Sequence, residues 1–364
     1  MIRLLIADDS ALMRRLLVEL FEAEGDFEVA VARDGHEALA AVGSFAPDVI
    51  TLDVQMPGLD GLACLDRIMV QRPTPVVMVS SLTRQGAEET IRALELGAID
   101  VVPKPSGALS LRMDELGPRL VEVVRAAAQV RISGTRRLAE RIRARTEAIG
   151  RRGPVARSPS PSTARPVADG RPRPAGLVIV GVSTGGPPAL DALLSDLPAS
   201  FPWPIVIAQH MPATFTGALA RRLDTLTALS VTEVCQTTAL MPGCAYVGRG
   251  EADLIISVRS SGPVALAAPP SDAYRWHPSV DRLTDSALEH LPADQLIGVL
   301  MTGMGNDGAA AMTRLRRAGG RTIAEAEETA VVWGMPGELV KAGGAEFVVP
   351  LESIARRLLE IAPS

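Results

Sequence analysis

The chain has 364 residues, of which 47% are apolar, and it carries a formal net charge of −5 at pH 7. This length suits two or three domains, and the acidic balance gives no reason to expect nucleic acid as a partner. The three cysteines form no CxxC pair, which argues against a disulfide framework.

The first residues form a strand pattern and not a signal peptide. No apolar run approaches the roughly 18 residues of a membrane-spanning helix. We therefore expect a cytoplasmic protein that does not insert into a membrane.

Residues 1 to about 125 alternate apolar strand patterns with amphipathic helix patterns. Strands are predicted at 2–7, 27–32, 48–53, 75–80 and 99–102. Helical spacings of three and four fill the gaps, as for Leu16, Leu17 and Leu20 in the first gap. This alternation predicts a doubly wound α/β domain of the flavodoxin-like type, with a parallel sheet.

The composition changes after this domain. Residues 126–175 begin with a pattern that could extend a helix through Val130, Leu138 and Ile142, and become rich in Arg, Pro and Ser from Arg151 onward. Such a segment cannot bury a core, which predicts a semi-extended linker. Its arginine excess could also contact an acidic partner or a membrane surface, but a soluble tether is the simpler interpretation.

Residues 176–364 return to alternating strand and helix patterns. Strands are predicted at 177–182, 204–209, 230–234, 244–248, 253–258, 296–301, 321–325 and 346–349. Helices are predicted near 187–197, 213–224, 279–290, 307–318 and 351–361. The run 230–267 has several strand patterns without intervening helices, which predicts a short antiparallel hairpin on a mainly parallel sheet. The expected fold is a second doubly wound α/β domain.

Polar residues of the first half follow predicted strands and are expected at one edge of the sheet. They are Asp8 and Asp9 after the first strand, Asp53 after the third, Ser80 after the fourth and Lys104 after the fifth. Crowded carboxylates repel one another unless a hard cation such as Mg²⁺ lies among them. The metal and Lys104 would offset charge on a phosphoryl group, so Asp53 could attack it and form an aspartyl phosphate. Ser80 could hydrogen-bond a phosphoryl oxygen.

Each of these residues also has a simpler interpretation. Asp9 or Ser10 could serve only as the N-cap of the first helix. A lysine beside a proline is usually just solvated. The combination at successive strand ends is harder to explain in this way.

The first half resembles the receiver domain of response regulators. The matching motifs are Asp8-Asp9-Ser10, Asp53-Val-Gln-Met-Pro-Gly58 and Lys104-Pro105. The resemblance implies that Asp53 is the phosphorylation site and that a histidine kinase is the phosphodonor. It also implies that Asp9 and Asp53 are Mg²⁺ ligands, with Asp8 in support. Val101 stands where the family usually has an aromatic residue.

A trio in the second half also follows predicted strands and has the chemistry of a hydrolase. Ser183 lies within Gly181-Val-Ser-Thr-Gly185, His210 follows the strand 204–209, and Asp307 closes the segment that begins at Leu300. A serine hydroxyl is a poor nucleophile until a base takes its proton, and the base needs an anion to hold its tautomer. Of the four histidines, His210 is the one that comes directly after a buried strand pattern.

Two of these assignments have alternatives. The glycine-rich turn at Ser183 could bind phosphate or a dinucleotide, although it lacks GxGxxG spacing and a Walker lysine. Asp307 could instead cap the helix that follows it. In the hydrolase interpretation, the backbone N–H groups of Thr184 and Met304 would donate to an oxyanion, because a helix start and neighbouring glycines leave such amides available.

The second half resembles the catalytic domain of chemotaxis protein-glutamate methylesterases, a family in which many members also deamidate receptor glutamines. The shared motifs are Ser183-Thr-Gly-Gly186, Gln209-His-Met-Pro212, Pro278-Ser-Val-Asp281, Thr302-Gly-Met-Gly-Asn-Asp-Gly308 and Trp333-Gly-Met-Pro336. The resemblance implies hydrolysis of glutamate γ-methyl esters on the cytoplasmic domains of chemoreceptors. Ser183 would be the nucleophile, His210 the base and Asp307 its orienter, with no cofactor for the esterase. The receiver would restrain the esterase until Asp53 is phosphorylated. Asp253 stands where the family usually has a histidine.

Two other classes of function fit parts of this pattern. A non-catalytic phosphate sink or receptor-docking scaffold would keep both halves, although a degenerate enzyme would be expected to lose one of the trio. A transcriptional regulator would carry a helix-turn-helix or a basic recognition helix, and the second half shows neither pattern. Domains are expected at 1–125 and 176–364, with 126–175 as the linker.

Overall fold

The computed structural model describes residues 1–80, 84–104, 109–130 and 174–363. Most of the predicted linker, including Leu138 and Ile142, lies outside the described residues. The described residues on either side of it form two α/β units, each built around a parallel sheet. In the described part of the chain, no helix combines the length and apolar character needed to cross a membrane.

The first unit has the strand order β2-β1-β3-β4-β5, and every neighbouring pair is parallel. Its elements are β1 (Ile2–Ala7), α1 (Ala11–Ala23), β2 (Phe27–Ala32), α2 (Gly35–Ser44), β3 (Val49–Asp53), α3 (Gly61–Gln71), β4 (Val76–Ser80), α4 (Arg84–Leu96), β5 (Asp100–Pro103) and α5 (Leu109–Ala128). The predicted strands are confirmed to within one residue, and the order is that of the flavodoxin-like fold.

The second unit contains a seven-stranded parallel sheet and a separate three-stranded antiparallel sheet. Its elements are β6 (Leu177–Val182), α6 (Gly186–Ser195), β7 (Ile205–Gln209), α7 (Ala213–Leu226), β8 (Ser230–Val234), β9 (Thr238–Ala239), β10 (Cys244–Gly248), β11 (Asp253–Arg259), β12 (Gly262–Ala268), α8 (Val280–His290), a 3₁₀ turn (Ala293–Gln295), β13 (Leu296–Leu300), α9 (Ala309–Arg317), β14 (Arg321–Glu325), α10 (Met335–Lys341), β15 (Phe347–Val349) and α11 (Leu351–Ile361). The strand orders are β15-β14-β13-β6-β7-β10-β8 and β11-β12-β9.

The predicted antiparallel hairpin is present as β11 and β12. It pairs with β9 in its own small sheet and does not extend the seven-stranded sheet. The short helix α10 was not predicted from the sequence, because Pro336 and Gly337 are typical of turns. Pro336 fits there because it lies in the first helical turn, where the missing N–H is not needed.

The central strands of the second unit position its polar residues. Strands β6, β7 and β13 are buried along their whole length, because helices cover both faces of the sheet. Their carboxyl ends meet at one edge, where the buried strands give way to polar loops. Ser183, His210 and Asp307 lie in the loops at this edge.

The two units contact each other through helices. Helix α4 of the first unit packs against α6 and α7 of the second. Arg222 on α7 joins them, with Nη1 lying 3.0 Å from Glu95 Oε1 and Nη2 lying 2.5 Å from Asp191 Oδ2.

Candidate active site and phosphoacceptor site

The carboxyl edge of the first sheet brings together the acidic residues and the lysine predicted there. Lys104 Nζ lies 2.6 Å from Asp53 Oδ2 and 2.8 Å from Asp8 Oδ2. Burial acts to lower the pKa of Lys104, but its bonds to Asp53 and Asp8 raise that pKa above the ordinary value. The ammonium therefore stays charged beside the two carboxylates.

The same edge has a donor set for a hard cation. Carboxylate oxygens of Asp8, Asp9 and Asp53 lie within 4.8 Å of one another, with Asp9 exposed and the other two buried. An all-oxygen set of this kind fits Mg²⁺. Ser80 is buried at the end of β4. Ser10 is the N-cap of α1, so Asp9 is not needed for that role.

Ser183 lies on the turn that joins β6 to α6, and its residue is 8% exposed. Gly185 has a φ of +77°, a left-handed conformation that favours glycine. A Cβ at Gly181 would lie 2.5 Å from Val280, so the strand can approach α8 only with glycine there. The turn therefore places the hydroxyl at the start of a helix, as the GxSxG pattern predicts.

His210 forms a buried pair with Asp307. Its Nε2 lies 2.8 Å from Asp307 Oδ2. Its other nitrogen, Nδ1, is buried and has no hydrogen-bond partner among the described residues. If the carboxylate accepts the Nε2–H proton, the lone pair is on Nδ1, which makes Nδ1 the nitrogen available as a base.

Ser183 and His210 occupy equivalent positions on neighbouring strands. Val182 pairs with Gln209 in the parallel register, so the serine and the histidine come next on β6 and β7. His210 N donates to Val182 O at 3.1 Å, and Gln209 Nε2 donates to Ser183 O at 3.0 Å. Adjacent strands lie about 4.8 Å apart, so the two side chains start from neighbouring points of one edge.

Asp307 does not cap the helix that follows it, because the N-cap of α9 is the next residue, a glycine. Its Oδ1 accepts from the Ser279 hydroxyl at 2.9 Å and from Asp281 N at 3.0 Å. Its Oδ2 accepts from Val280 N at 2.7 Å in addition to His210. Burial acts to raise the pKa of Asp307, but the bond from His210 and those from the start of α8 hold that pKa below its ordinary value.

The two amides predicted as oxyanion donors lie beside the serine. The backbone N–H groups of Thr184 and Met304 make no hydrogen bond within the described parts of the chain. A Cβ at Gly303 would lie 2.7 Å from Ser183 Cβ, so glycine lets the loop that carries Met304 reach the serine. Gly305 has a φ of +78°, which this loop needs to turn back.

Buried Thr302 connects this loop to the serine turn and is itself held by buried Glu325, and the sequence assigned a role to neither. Thr302 Oγ1 donates to Thr184 O at 2.8 Å, and Thr302 N donates to Glu325 Oε2 at 2.8 Å. Burial raises the pKa of Glu325 to about 7. Glu325 ends the strand predicted at 321–325, so the strand-end criterion that found Ser183 could have found it as well.

The first unit touches the serine turn directly. Asp100 Oδ2 accepts from the Thr184 hydroxyl at 2.6 Å, and Ile99 O accepts from Gly185 N at 3.2 Å. Burial raises the pKa of Asp100. No motif or periodicity predicts this contact, because it joins two surfaces that belong to different units.

These groups have the chemistry of acyl transfer from an ester or an amide. They include a candidate nucleophile, a candidate base paired with a carboxylate, and two backbone amides suited to an oxyanion. The edge of the first sheet has the chemistry of a phosphoryl acceptor, with a buried carboxylate beside a lysine.

Residues 178–358 match the CheB methylesterase family, and residues 4–113 match the response regulator receiver domain family. A protein-glutamate methylesterase/protein-glutamine glutaminase 2 from Rhodopseudomonas palustris is 58% identical over 360 residues, covering 99% of this chain and 98% of that protein. The protein-glutamate methylesterase/protein-glutamine glutaminase 3 from Rhodospirillum rubrum is 50% identical over 360 residues, covering 98% of this chain and 95% of that protein. The crystal structure of the CheB methylesterase catalytic domain of Thermotoga maritima shares 37% identity, with a TM-score of 0.49, and covers 51% of this chain and 97% of that chain.

Proposed function

The chain belongs to the family of protein-glutamate methylesterases/protein-glutamine glutaminases, and from that membership we propose that it hydrolyses glutamate γ-methyl esters on the cytoplasmic domains of chemoreceptors. Methanol is the product. The observation that carries the proposal is the buried His210–Asp307 pair, 2.8 Å apart, one strand from the buried Ser183. A substrate on receptor cytoplasmic domains places the enzyme in the cytoplasm.

In the proposed reaction, Ser183 Oγ attacks the ester carbonyl carbon while His210 Nδ1 takes the hydroxyl proton. Asp307 holds the Nε2–H and stabilises the imidazolium that forms. The bond from carbon to the methoxy oxygen then breaks, and His210 returns the proton to that oxygen to release methanol. Water, deprotonated by His210, hydrolyses the acyl-serine to the free glutamate carboxylate. With a glutamine substrate the same steps release ammonia.

The negative charge that develops on the carbonyl oxygen needs donors in the transition state. The backbone N–H groups of Thr184 and Met304 serve as these donors. Their support is that neither makes another hydrogen bond among the described residues and that the Gly303 loop packs against Ser183. Such donors are worth about 10² to 10³ in kcat each in serine hydrolases.

The first unit, at 1–125, acts as a receiver whose Asp53 is phosphorylated by a histidine kinase. Asp9 and Asp53 would hold Mg²⁺, with Asp8 in support, and the ion would offset negative charge on the phosphoryl group. Lys104, which contacts Asp53 and Asp8, would offset further negative charge. Ser80 hydrogen-bonds a phosphoryl oxygen.

Phosphorylation activates the hydrolase unit, at 176–364, by weakening its contacts with the receiver. The contact that supports this proposal is the bond between Asp100 and the Thr184 hydroxyl, next to the nucleophile. A receiver docked there restricts access to Ser183. The linker, at 126–175, lets the two units separate while they stay on one chain.

The test is methanol release from membranes that carry methylated chemoreceptors. The full chain with an acyl phosphate and Mg²⁺ is expected to release methanol, and Ser183→Ala is expected to release none above background. Equal release by both chains would remove Ser183 from the reaction. Binding of receptor by the parental chain without any release would instead indicate a docking scaffold.

A further inference from the structure

Trp276 contacts the proposed base and belongs to none of the groups assigned so far. Its ring lies flat on the imidazole of His210, with ring centroids 4.9 Å apart and planes 7° apart. Trp276 lies in the loop between β12 and α8 and is half-buried. Offset stacking of two flat rings at this separation is a favoured aromatic geometry.

The loop that carries Trp276 is anchored to buried carboxylates of the second unit. The next residue, His277, bonds through Nδ1 to Asp253 Oδ1 at 2.8 Å. Arg282 also bonds to Asp253, which is 1% exposed. Ser279 donates to Asp307, the partner of His210. Residues 276–282 therefore form one continuous segment that both carries the stacked indole and bonds to Asp307, the carboxylate that orients the imidazole.

Charged groups surround this stack. The Arg275 guanidinium lies 5.1 Å from the Trp276 ring centroid, and Arg119 of α5 lies 5.8 Å from it. Arg275 also pairs with Glu122 of α5 at 3.1 Å. The receiver contributes two of these contacts, through Arg119 and Glu122, and the Asp253 anchor lies within the second unit.

The indole also reaches the loop of the predicted oxyanion donors. A Cβ at Gly305 would lie 3.9 Å from Trp276 Nε1. Trp276 thus contacts His210 on one side and lies near the loop that carries Met304 on the other, so it forms one side of the site.

We infer that Trp276 is a positioning residue for His210, fixing the plane of the imidazole and stabilising the imidazolium that forms when the serine proton is taken. The bond to Asp307 holds Nε2 but leaves the ring free to tilt, and a flat partner removes that freedom. An aromatic face also attracts a cation. The inference rests on the proposed hydrolase function.

The test compares Trp276→Leu with Trp276→Phe in the full chain, using methylated receptor membranes, an acyl phosphate and Mg²⁺. Loss of the flat partner is expected to lower kcat about tenfold in Trp276→Leu with KM within about twofold, since small misplacements of a reacting group slow catalysis strongly. Trp276→Phe keeps a smaller flat ring and is expected to stay within about threefold of the parent. Tyr274→Leu, an aromatic loss in the same loop beside Arg282, is the matched control and should keep parental kcat.

A second readout does not depend on hydrolysis. In a chain with isotope-labelled histidine, the ring protons of His210 should be shifted upfield by the indole ring current, and Trp276→Leu should remove that shift. Parental kcat in Trp276→Leu would overturn the inference. So would the absence of an upfield shift in the parental chain, which can be measured even if Trp276→Leu does not fold. A parental chain that shows the shift but releases no methanol would overturn the proposed function instead.

Discussion

The two acidic sites of the molecule lie at equivalent edges of two parallel sheets but are built from different interactions. At the first edge, Asp53 and Asp8 share one lysine ammonium and Asp9 faces solvent. At the second edge, Asp307 is enclosed by Ser279, the start of α8 and His210. The first site therefore depends on charge, and the second depends on hydrogen-bond geometry.

This difference indicates how each site is controlled. A site built from charged groups, with one carboxylate exposed to solvent, responds to ions and to an added phosphoryl group. A buried site whose donors are all matched to one carboxylate tolerates little change in those donors. In the proposed function the receiver edge is therefore the switch, and the hydrolase edge keeps a fixed arrangement.

The largest expected effect comes from Asp307→Asn. The asparagine NH₂ would face at least one of the groups that donate to the carboxylate, and the Nε2–H tautomer of His210 would lose its anion. We expect kcat to fall by about 10³ to 10⁴ and the free energy of unfolding to fall by about 1 to 3 kcal/mol. Methanol release and urea unfolding measure the two losses.

The control for this change is Asp285→Asn, which alters an aspartate on α8, the helix whose first amides donate to Asp307. Asp285 pairs with the exposed Arg314. It should leave both quantities close to the parental values. An Asp307→Asn chain with parental turnover would exclude Asp307 as the orienter of His210.

The next effect is expected from removal of Mg²⁺. Chelation should abolish the stimulation of methanol release by an acyl phosphate, a loss of roughly tenfold for a typical coupling between sites. The unstimulated rate should stay unchanged, because the carboxylate cluster suited to a cation lies at the first edge. Readdition of Mg²⁺ is the control, and full stimulation in the presence of chelator would show that the acidic cluster at the first edge needs no cation.

A smaller effect is expected from the contact between the two units. Asp100→Ala removes the acceptor of the Thr184 hydroxyl, so it should raise the rate of the unphosphorylated chain by about threefold, the worth of a single hydrogen bond. Asp100→Asn keeps a carbonyl acceptor and should raise the rate less. Identical initial rates for the parent and Asp100→Ala would separate this contact from the restraint.

The smallest effect on turnover is expected from Glu325→Gln, whose amide keeps the bond from Thr302 N. The substitution is expected to change the free energy of unfolding instead. The folded pKa of Glu325 is raised to about 7, so the native state holds a proton that the unfolded chain releases near pH 4.5, and parental stability falls as pH rises through that window. The free-energy cost of ionising the buried Glu325 carboxyl in the folded state is therefore fully present above pH 7.

Glu325→Gln should therefore stabilise the fold at pH 8 by about 3 kcal/mol and have little effect at pH 4. Urea unfolding at the two pH values measures the difference. Equal stability of the two chains at pH 8 would mean that the buried carboxyl carries no such penalty.

The strand ends were predictable from sequence because fully buried parallel strands appear as short apolar runs. That signal located β6, β7 and β13, and with them Ser183, His210 and the segment that ends at Asp307. The roles of the side chains were harder to predict. The sequence left open whether Asp307 caps α9, and only the fold shows that its carboxylate turns to α8 and His210.

Other contacts had no sequence signal. Trp276 stacks on His210 from a loop without periodicity, and Asp100 meets Thr184 across 84 positions of the chain. Both contacts depend on how packed surfaces meet, which local patterns do not encode. Asp253, which stands where the related family usually has a histidine, is buried and bonds to His277 and Arg282, and no sequence motif indicated that role.

The most direct test of the link between the two edges is the initial rate of methanol release by the full chain, measured with and without an acyl phosphate in the presence of Mg²⁺. The parental chain should respond to the phosphodonor, and Asp53→Asn should show the unstimulated rate under both conditions. Stimulation of Asp53→Asn equal to that of the parent would contradict control of the Ser183 site by the carboxylate at the first edge.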